Sequence, residues 1–437
     1  MSLSSNPSPP DGAQPSDHLL RRYPALLRFF LANAGTGFAM QMVSVAVGWQ
    51  VYALTGSALD LGLIGLAQFF PLVLLALPAG HVADQFPRQR IVLAGLVVEA
   101  IAITTLVVLT ITQHVNTIAI LALLVIIGMA KAFEFPSFQS ILPGLVPASV
   151  LPRAIALNAA GKQAAMIIGP AVGGFLYLAG PAVVYGLAAL MYLVAAALLA
   201  GVRYQQAQSR REPATLKTVF AGVHFIRHRP DVLGVISLDL FAVLLGGVTA
   251  LLPIFARDIL QTGPWGLGLL RAAPAIGALS MSLWLARHPL QRRVGMRMFA
   301  AVAGYGIATL VFGLSSTLWL SLIALVALGA CDMVSVVIRL ALVQLDTPDE
   351  MRGRVSAVNA IFINTSNQLG EFESGLVAAW LGAVSATVIG GVGTLLVVAL
   401  WMMMFPTLRK RKRLHSEPVV VTTEAGSIGA VAPVPPR

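Results

Sequence analysis

The stretch PASVLPRAIALNAAGKQAAMIIGPAVGG at residues 147–174 decides the fold, because its pattern returns as PDEMRGRVSAVNAIFINTSNQLGEFESG at residues 348–375. A shift of 201 positions superimposes the two segments without a gap. Proline, arginine, asparagine and glycine anchors then coincide, pairing Pro147 with Pro348, Arg153 with Arg354, Asn158 with Asn359, Gly169 with Gly370 and Gly174 with Gly375. This agreement predicts a chain built from two related halves.

The composition is that of an integral membrane protein. Of the 437 residues, 57% are apolar and 11% are charged, whereas a soluble domain carries about 25% charged residues. Apolar runs of about 20 residues, enough for a helix to cross about 30 Å of hydrocarbon, recur along the chain. Because a helix satisfies its own backbone hydrogen bonds in lipid, the sequence predicts an all-α membrane protein.

Twelve membrane-spanning helices are predicted, six in each half. Their predicted bounds are Ala25–Leu54, Ala58–Gly80, Ile91–Thr112, Thr117–Phe138, Leu157–Ala179, Ala182–Val202, Val232–Ala256, Trp265–Arg287, Met296–Leu314, Leu318–Leu342, Val355–Trp380 and Ala383–Phe405. In chain order, the sequence is predicted to divide into a disordered tail (residues 1–20), a first half (21–202), a linker (203–231), a second half (232–405) and a basic, disordered tail (406–437). Two pseudo-symmetric halves are typical of membrane transporters, whose substrate path lies between the halves.

Basic residues set the expected orientation. Most of the 29 Lys and Arg residues fall in the tails and in the connections on the same side of the membrane as the tails. Connections on the other side, such as 113–116 and 315–317, are nearly uncharged. Since Lys and Arg accumulate on the cytoplasmic side, both termini are expected there, in a multi-pass protein of a bacterial-type inner membrane. The same distribution accounts for the net charge of +11 without nucleic-acid binding.

The linker and the C-terminal tail carry further patterns. Apolar residues recur at helical spacing among basic ones in the linker, at Leu216, Val219, Phe220, Val223 and Ile226. This spacing predicts an amphipathic helix that lies on the inner membrane surface. The basic run Arg409–Arg413 is expected to bind acidic lipid at the same surface.

The connection between the second and third spans reads GHVADQFPRQR at residues 80–90. Gly80 is followed by Asp84 four residues later, and then by Arg88 and Arg90. A carboxylate at a helix end can contact the positive N-terminus of a neighbouring helix, and the arginines can contact acids, so the segment is predicted to act as a conformational latch. Ordinary positive-inside charge would explain the two arginines but not Asp84.

This segment resembles the hallmark loop of the major facilitator superfamily, from which it departs at Gln85 and Pro87, where a basic residue and a glycine are usual. The segments RGRVSAVNA and LGEFESG, at residues 352–360 and 369–375, resemble the branch that includes the enterobactin exporter and related siderophore or drug efflux proteins. The resemblance runs from about residue 20 to about residue 409. It implies the twelve-helix fold of the superfamily.

The fifth span carries a second motif, formed by Gly169, Pro170, Gly173 and Gly174. It resembles the antiporter motif of exporters in the same superfamily, which favours export over uptake. Glycines of this kind also permit close helix approach, so a packing role is the alternative interpretation.

Placing a charged side chain inside the membrane costs free energy, so each charge within a predicted span is expected to have a structural or functional role. The candidate proton carriers are Glu371, Asp239, Asp332 and Glu99. Glu371 is the leading candidate because it occupies the repeat position of Pro170, so the second half has gained an acid there. An unpaired acid in a low-dielectric site is suited to reversible proton binding.

Opposite charges within one helix could instead neutralise each other. Lys131 and Glu134 are three residues apart, and Asp332 and Arg339 are seven apart, so each pair shares a helix face. Structural neutralisation and function are equally compatible with these pairs.

The superfamily resemblance implies that spans one, four, seven and ten line a central cavity. The candidate cavity residues are Asn33, Gln41, Lys131, Glu134 and Arg339, and the resemblance places Asp239 and Asp332 there as well. Asn33 and Gln41 belong to a stripe of polar and small residues in the first span, which helix packing alone would also explain.

The chain lacks a P-loop, because Gly161 and Lys162 are followed by Gln163 and the upstream glycine spacing is missing. The energy source is therefore expected to be an ion gradient, with the proton as coupling ion and no cofactor or metal. We predict a monomeric secondary active transporter that exports a small organic molecule by proton antiport and alternating access. Metabolite uptake by the same fold, or a scaffold or sensor that has lost transport, are the alternatives. An enzyme is not expected, since no nucleophile and base pair is recognisable.

Overall fold

Long apolar runs separated by short connections fold into long helices joined by tight turns. The computed structural model describes residues 20–202, 216–290 and 292–413. In chain order its helices are α1 (Pro24–Thr55), α2 (Ala58–Gln85), α3 (Arg88–Ile111), α4 (Thr117–Ile141), α5 (Leu151–Leu176), α6 (Pro181–Ala200), α7 (Leu216–Arg227), α8 (Pro230–Leu245), α9 (Pro264–Arg287), α10 (Val294–Leu314), α11 (Leu318–Leu345), α12 (Asp349–Leu381), α13 (Ala383–Met404) and α14 (Pro406–Lys410). The described residues contain no strand, as the sequence predicts.

Polar caps set several of these helix starts. Ser57 Oγ accepts a hydrogen bond from the backbone N–H three residues on at the start of α2, and Asn116 Oδ1 does the same for α4. Such caps satisfy backbone donors that have no partner within the helix. Most observed bounds lie close to the predicted ones, but α5 and α12 begin earlier than predicted, at Leu151 and Asp349.

Within the described residues, ten helical segments are long and apolar enough to cross a membrane. They are α1 to α4, α6, α8 together with the turns that follow it, α9 to α11 and α13. The two other long helices, α5 and α12, are the two copies of the repeat, and Lys162, Glu371 and Glu373 make them more polar. With 26 and 33 residues they are long enough to span at about 1.5 Å per residue, so the predicted count of twelve stays a prediction for these two.

The polar helices α5 and α12 lie between the two halves. Helix α5 packs between α1 and α9, and α12 packs against α2 and α8. These two helices therefore form the contact between the halves α1–α6 and α8–α13. The repeat thus marks the two helices along which the halves meet.

The two halves are in close contact on the face that carries the short connections 112–116, 261–263 and 315–317, called here the loop face. A Cβ atom added to Gly174 of α5 would lie only 2.5 Å from the Pro264 carbonyl oxygen of α9, which shows how closely the two backbones approach at this glycine. A Cβ on Gly375 of α12 would lie 2.8 Å from the Gly62 Cα of α2. Gly174 and Gly375 are equivalent in the repeat, so the same glycine contact is formed twice.

The opposite face, where α7 and α14 lie, is called here the terminal face. A Cβ on Gly80 of α2 or on Gly353 of α12 would meet no atom within 4 Å. Gly62 and Gly375, near the other ends of these two helices, are in contact. The close glycine contacts between the halves described here therefore lie near the loop face.

The seventh predicted span, Val232–Ala256, lies within one spanning segment, Pro230–Ile259, but this segment is not a continuous α-helix. Helix α8 ends at Leu245 and is followed by a 3₁₀ turn and a π-helical turn that ends at Ile259. A Cβ on Gly247 would lie 2.3 Å from the Gly370 carbonyl oxygen, so the break allows close approach of α12. The Tyr305 hydroxyl donates a 3.0 Å hydrogen bond to the Gly246 carbonyl, which compensates the broken helix as a membrane interior requires.

The linker contains the predicted helix, α7, but this helix packs against protein. A Cβ on Gly222 would lie 3.0 Å from the Arg354 carbonyl oxygen of α12, and Ile226 is buried beside Val355. That α7 also lies on the membrane surface stays a prediction. The side chains of Leu216, Val219 and Phe220 lie outside the described part of the chain.

The start of the C-terminal tail is ordered, which corrects the prediction of disorder for residues 406–413. Leu408 of α14 is fully buried against the start of α10, and the Gly295 N–H donates to the Arg411 carbonyl oxygen at 3.2 Å. The Arg411 guanidinium binds Asp346 through two hydrogen bonds of 2.6 and 2.7 Å, and Asp231 at 3.3 Å. Burial lowers the pKa of Arg411, but the bonds to Asp346 outweigh it, so this pKa is raised overall. The tails at 1–19 and 414–437 and the linker at 203–215 lie outside the described residues.

Candidate functional site

The first half contains a buried group of three charged side chains from α3 and α4. Lys131 Nζ lies 2.8 Å from Glu99 Oε1 and 3.5 Å from Glu134 Oε2. The Glu99 side chain is 0% exposed and that of Glu134 6%, whereas Lys131 is 30% exposed. Lys131 also lies 5.7 Å from the ring centroid of Tyr192 on α6. Lys131 and Glu134, predicted to share a face, do pair, and Glu99 joins them from α3.

The second half contains a one-to-one ion pair between α8 and α11. The Arg339 guanidinium donates to Asp239 Oδ2, and both side chains are buried. The suggestion that Arg339 pairs with Asp332 was wrong, because Arg339 turns toward α8. Asp332 is half-buried, and the described contacts include no hydrogen bond or ion pair to it.

Glu371 lies in the contact between α2 and α12, and so between the halves. A Cβ on Gly65 would lie 2.8 Å from Glu371 Oε2 and 3.1 Å from Gln368 Oε1. The described contacts contain no hydrogen bond or ion pair to the Glu371 carboxylate. Arg271 of α9 interacts with it electrostatically without a direct ion pair.

Arg271 connects the halves on the same side of the molecule. Its guanidinium donates to Ser44 Oγ of α1, and its Nε is buried without a hydrogen-bond partner. A buried guanidinium with several unused donors leaves a positive charge near Glu371 that can respond to the ionisation of that acid. Sequence analysis missed this contact, because Arg271 and Ser44 are 227 positions apart and no local pattern relates them.

The polar stripe of α1 lies against α5. The Asn33 amide donates a 2.5 Å hydrogen bond to Asn158 Oδ1, and a Cβ on Gly169 would lie 2.8 Å from Gln41 Cβ. The packing interpretation of Asn33 and Gln41 thus has direct support, while a role in a cavity stays a prediction.

The glycine motif of α5 contacts α1 on one side and α9 on the other. A Cβ on Gly173 would lie 2.8 Å from Met42 Cα in α1, while Gly174 contacts α9 and Pro170 is buried. The glycines therefore allow close packing within the first half and, at Gly174, between the halves. Their role in export stays a prediction.

The predicted latch residues lie on helix ends around a two-residue connection. Gly80 and Asp84 belong to the last turns of α2, and Arg88 and Arg90 begin α3. The Asp84 side chain lies outside the described part of the chain, so the latch contact is untested. Between the arginines, Gln89 donates to two carbonyl oxygens at the end of α6, at 2.7 and 2.8 Å.

A polar contact at the loop face was not predicted. The Tyr52 hydroxyl of α1 donates to Asp258 in the π-helical turn, and Arg257 donates to the Tyr52 carbonyl oxygen at 3.1 Å. Arg257 is the one Lys or Arg residue that the sequence places in a loop-face connection. Its unusual position was the signal from which a polar contact could have been predicted. The described residues contain no group of three or more His, Cys, Asp or Glu side chains that could hold a metal ion.

A family model for transmembrane secretion effectors matches residues 24–425, which is most of the chain. The protein belongs to this family of the major facilitator superfamily. The enterobactin exporter EntS of Escherichia coli O157:H7 (strain EC4115 / EHEC) is 26% identical over 413 residues, which cover 93% of this chain and 97% of the relative. The enterobactin exporter EntS of Citrobacter koseri is 25% identical over 397 residues, covering 90% and 94%.

Solved structures place the chain in the major facilitator fold. A bacterial homologue of the human lysosomal transporter Spinster, in an inward-facing and unoccupied conformation, matches with a TM-score of 0.71 at 15% identity, covering 93% of this chain and 100% of the other. A bacterial homologue of the iron transporter ferroportin, in an inward-facing state, matches with a TM-score of 0.68 at 15% identity, covering 89% and 99%. The predicted all-α fold of two six-helix halves and the predicted superfamily are confirmed, with the spanning role of α5 and α12 still to be tested.

Proposed function

We propose that this transporter exports a small organic molecule from the cytoplasm in exchange for protons. The observation that carries the proposal is Glu371, a carboxylate in the contact between the two halves that has no hydrogen bond among the described contacts. The contact must open and close if the halves alternate, so Glu371 would meet a different solution in each state. An acid at such a position can bind a proton on one side and release it on the other.

The cycle begins with the state described above, which is inward-facing if the termini are cytoplasmic. Cargo enters from the terminal face, and the halves then rock so that the glycine contacts Gly62–Gly375 and Gly174–Gly268 part at the loop face. Cargo leaves, Glu371 takes up a proton from outside, and the protonated carrier closes again. One proton moving through about 100 mV supplies about 2.3 kcal/mol, which supports about a 50-fold gradient of a neutral cargo.

A catecholate siderophore is the first cargo to test, because enterobactin exporters align with nearly the whole chain. Inside-out membrane vesicles with an acidic interior should accumulate it, and a protonophore should abolish the accumulation. Accumulation of lipophilic drugs alone would assign multidrug efflux with the same mechanism. Failure to accumulate either cargo would contradict a siderophore or lipophilic drug as the cargo and reopen the cargo question, and uptake would then be measured in right-side-out vesicles.

Replacement of Glu371 by Gln keeps the size of the side chain and removes its ionisable group. We expect Glu371→Gln to lower proton-driven accumulation about tenfold or more, with the protein still present in the membrane. Glu373→Gln is the matched control, because Glu373 lies two residues on in α12 and, among the described contacts, accepts one hydrogen bond, from Ser374 Oγ at 3.5 Å. Full accumulation by Glu371→Gln would remove Glu371 from the mechanism.

A further inference from the structure

The group Glu99, Lys131 and Glu134 has an unbalanced charge. Two carboxylates contact one ammonium group, so the fully ionised group carries one net negative charge. Within the described spans it is the one place where two acids form ion pairs with the same cation. The pair Asp239–Arg339 in the other half is balanced.

The environment makes that extra charge costly. The Glu99 side chain is completely buried, and its Oε2 atom has no hydrogen-bond partner. Glu134 packs against α3, where a Cβ on Gly95 would lie 3.4 Å from Glu134 Cβ. A buried carboxylate without a counter-ion or hydrogen bond is much less stable than its neutral acid.

Among the described residues, the neighbouring helices supply no second positive charge at the site. Helix α6 contributes Tyr192, whose ring faces Lys131 and whose hydroxyl donates to Met40 Sδ of α1 at 3.9 Å. Helix α2 approaches α4 with the uncharged Gln68 at Gly128. Tyr192 is therefore the one other titratable group that faces the site among the described residues.

We propose that Glu99, Lys131 and Glu134 form a site that binds one exchangeable proton, held by either carboxylate. The step forms one carboxylic O–H bond with a proton from water and breaks no other bond. Lys131 stays an ammonium group and is the partly exposed member of the site, at 30% exposure of its side chain. This inference deepens the proposed function, because the site would couple proton binding to transport from the half that does not contain Glu371.

Replacing either acid by Gln leaves one carboxylate and one ammonium, a balanced pair that needs no proton. In acid–base titrations of the purified protein between about pH 5 and about pH 9, Glu99→Gln should bind about one proton fewer than wild type. Glu134→Gln should show the same loss and provides a second variant if the first fails to fold. Asp60→Asn is the matched control, because Asp60 lies near the loop face in the first turn of α2, remote from the site.

A titration of both variants equal to that of wild type would overturn the proton site. The titration needs no cargo, so its result is separate from any failure of the vesicle assay. If a cargo is transported, both variants should lose proton-driven accumulation and keep exchange of labelled for unlabelled cargo. Proton-driven accumulation at the wild-type level in both variants would overturn the coupling role and leave a structural site.

Discussion

At the scale of single residues, the charges inside the helices differ in the partners they have. Asp239 and Arg339 are a buried, balanced pair, Glu99 and Glu134 share Lys131, and Asp332 and Glu371 have no direct partner among the described contacts. A balanced buried pair is expected to be structural, because loss of one member leaves the other without compensation. Unpaired and unbalanced acids are the better candidates for proton transfer.

This distinction predicts different stabilities for two similar substitutions. Asp239→Asn should destabilise the protein by about 3–5 kcal/mol, because Arg339 remains buried without its counter-ion. Asp332→Asn should have a much smaller effect, since Asp332 makes no hydrogen bond or ion pair among the described contacts. Thermal unfolding of the purified variants in detergent measures both changes, and equal loss in the two variants would contradict the assignment.

At the scale of helices, the bounds could be predicted from sequence and most of the contacts could not. Thr117, Leu318 and Ala383 begin helices where the sequence predicts, because apolar runs and polar connections are local signals. The pairing of Arg339 with Asp239 depends on how α8 packs against α11, which no local pattern contains.

The break after Leu245 was missed for a related reason. Gly246 and Gly247 stand within an apolar run, and their role depends on Tyr305 and Gly370, far away in the chain. The repeat was the one long-range signal in the sequence. It identified α5 and α12 as equivalent helices, but it did not identify the glycines of other helices that contact them.

The repeated glycine contact predicts the behaviour of the loop face. Gly375→Ala should hinder its closure, because the new Cβ would lie 2.8 Å from Gly62 Cα. Gly174→Ala should act in the same direction, because its Cβ would meet the α9 backbone. Both variants should populate the state that is open at the loop face.

A buried reporter near this contact measures the effect. In a Cys331→Ser background, Ala58→Cys should react with an impermeant maleimide several-fold faster when either glycine is replaced, because Ala58 is 9% exposed in the closed state. Gly186→Ala is the control, since a Cβ there meets no atom within 4 Å. Unchanged labelling with Gly375→Ala and Gly174→Ala would show that these contacts do not hold the face closed.

At the scale of the whole molecule, close glycine contacts join the halves near the loop face. Positive-inside charge predicts that the terminal face is cytoplasmic, so a carrier closed at the loop face would accept cargo from the cell interior. In the proposed mechanism, a proton binds at Glu371 between the halves and at the Glu99–Lys131–Glu134 group inside the first half. Proton and cargo would then move in opposite directions.

The most direct measurement of this linkage uses purified protein in liposomes with no imposed proton gradient. Liposomes are loaded with the cargo that the vesicle assay identifies and diluted into cargo-free medium, while a trapped dye reports internal pH. Outward cargo movement should acidify the interior with wild type, and Glu371→Gln should abolish the acidification. Cargo efflux through wild type without any change of internal pH would contradict proton antiport.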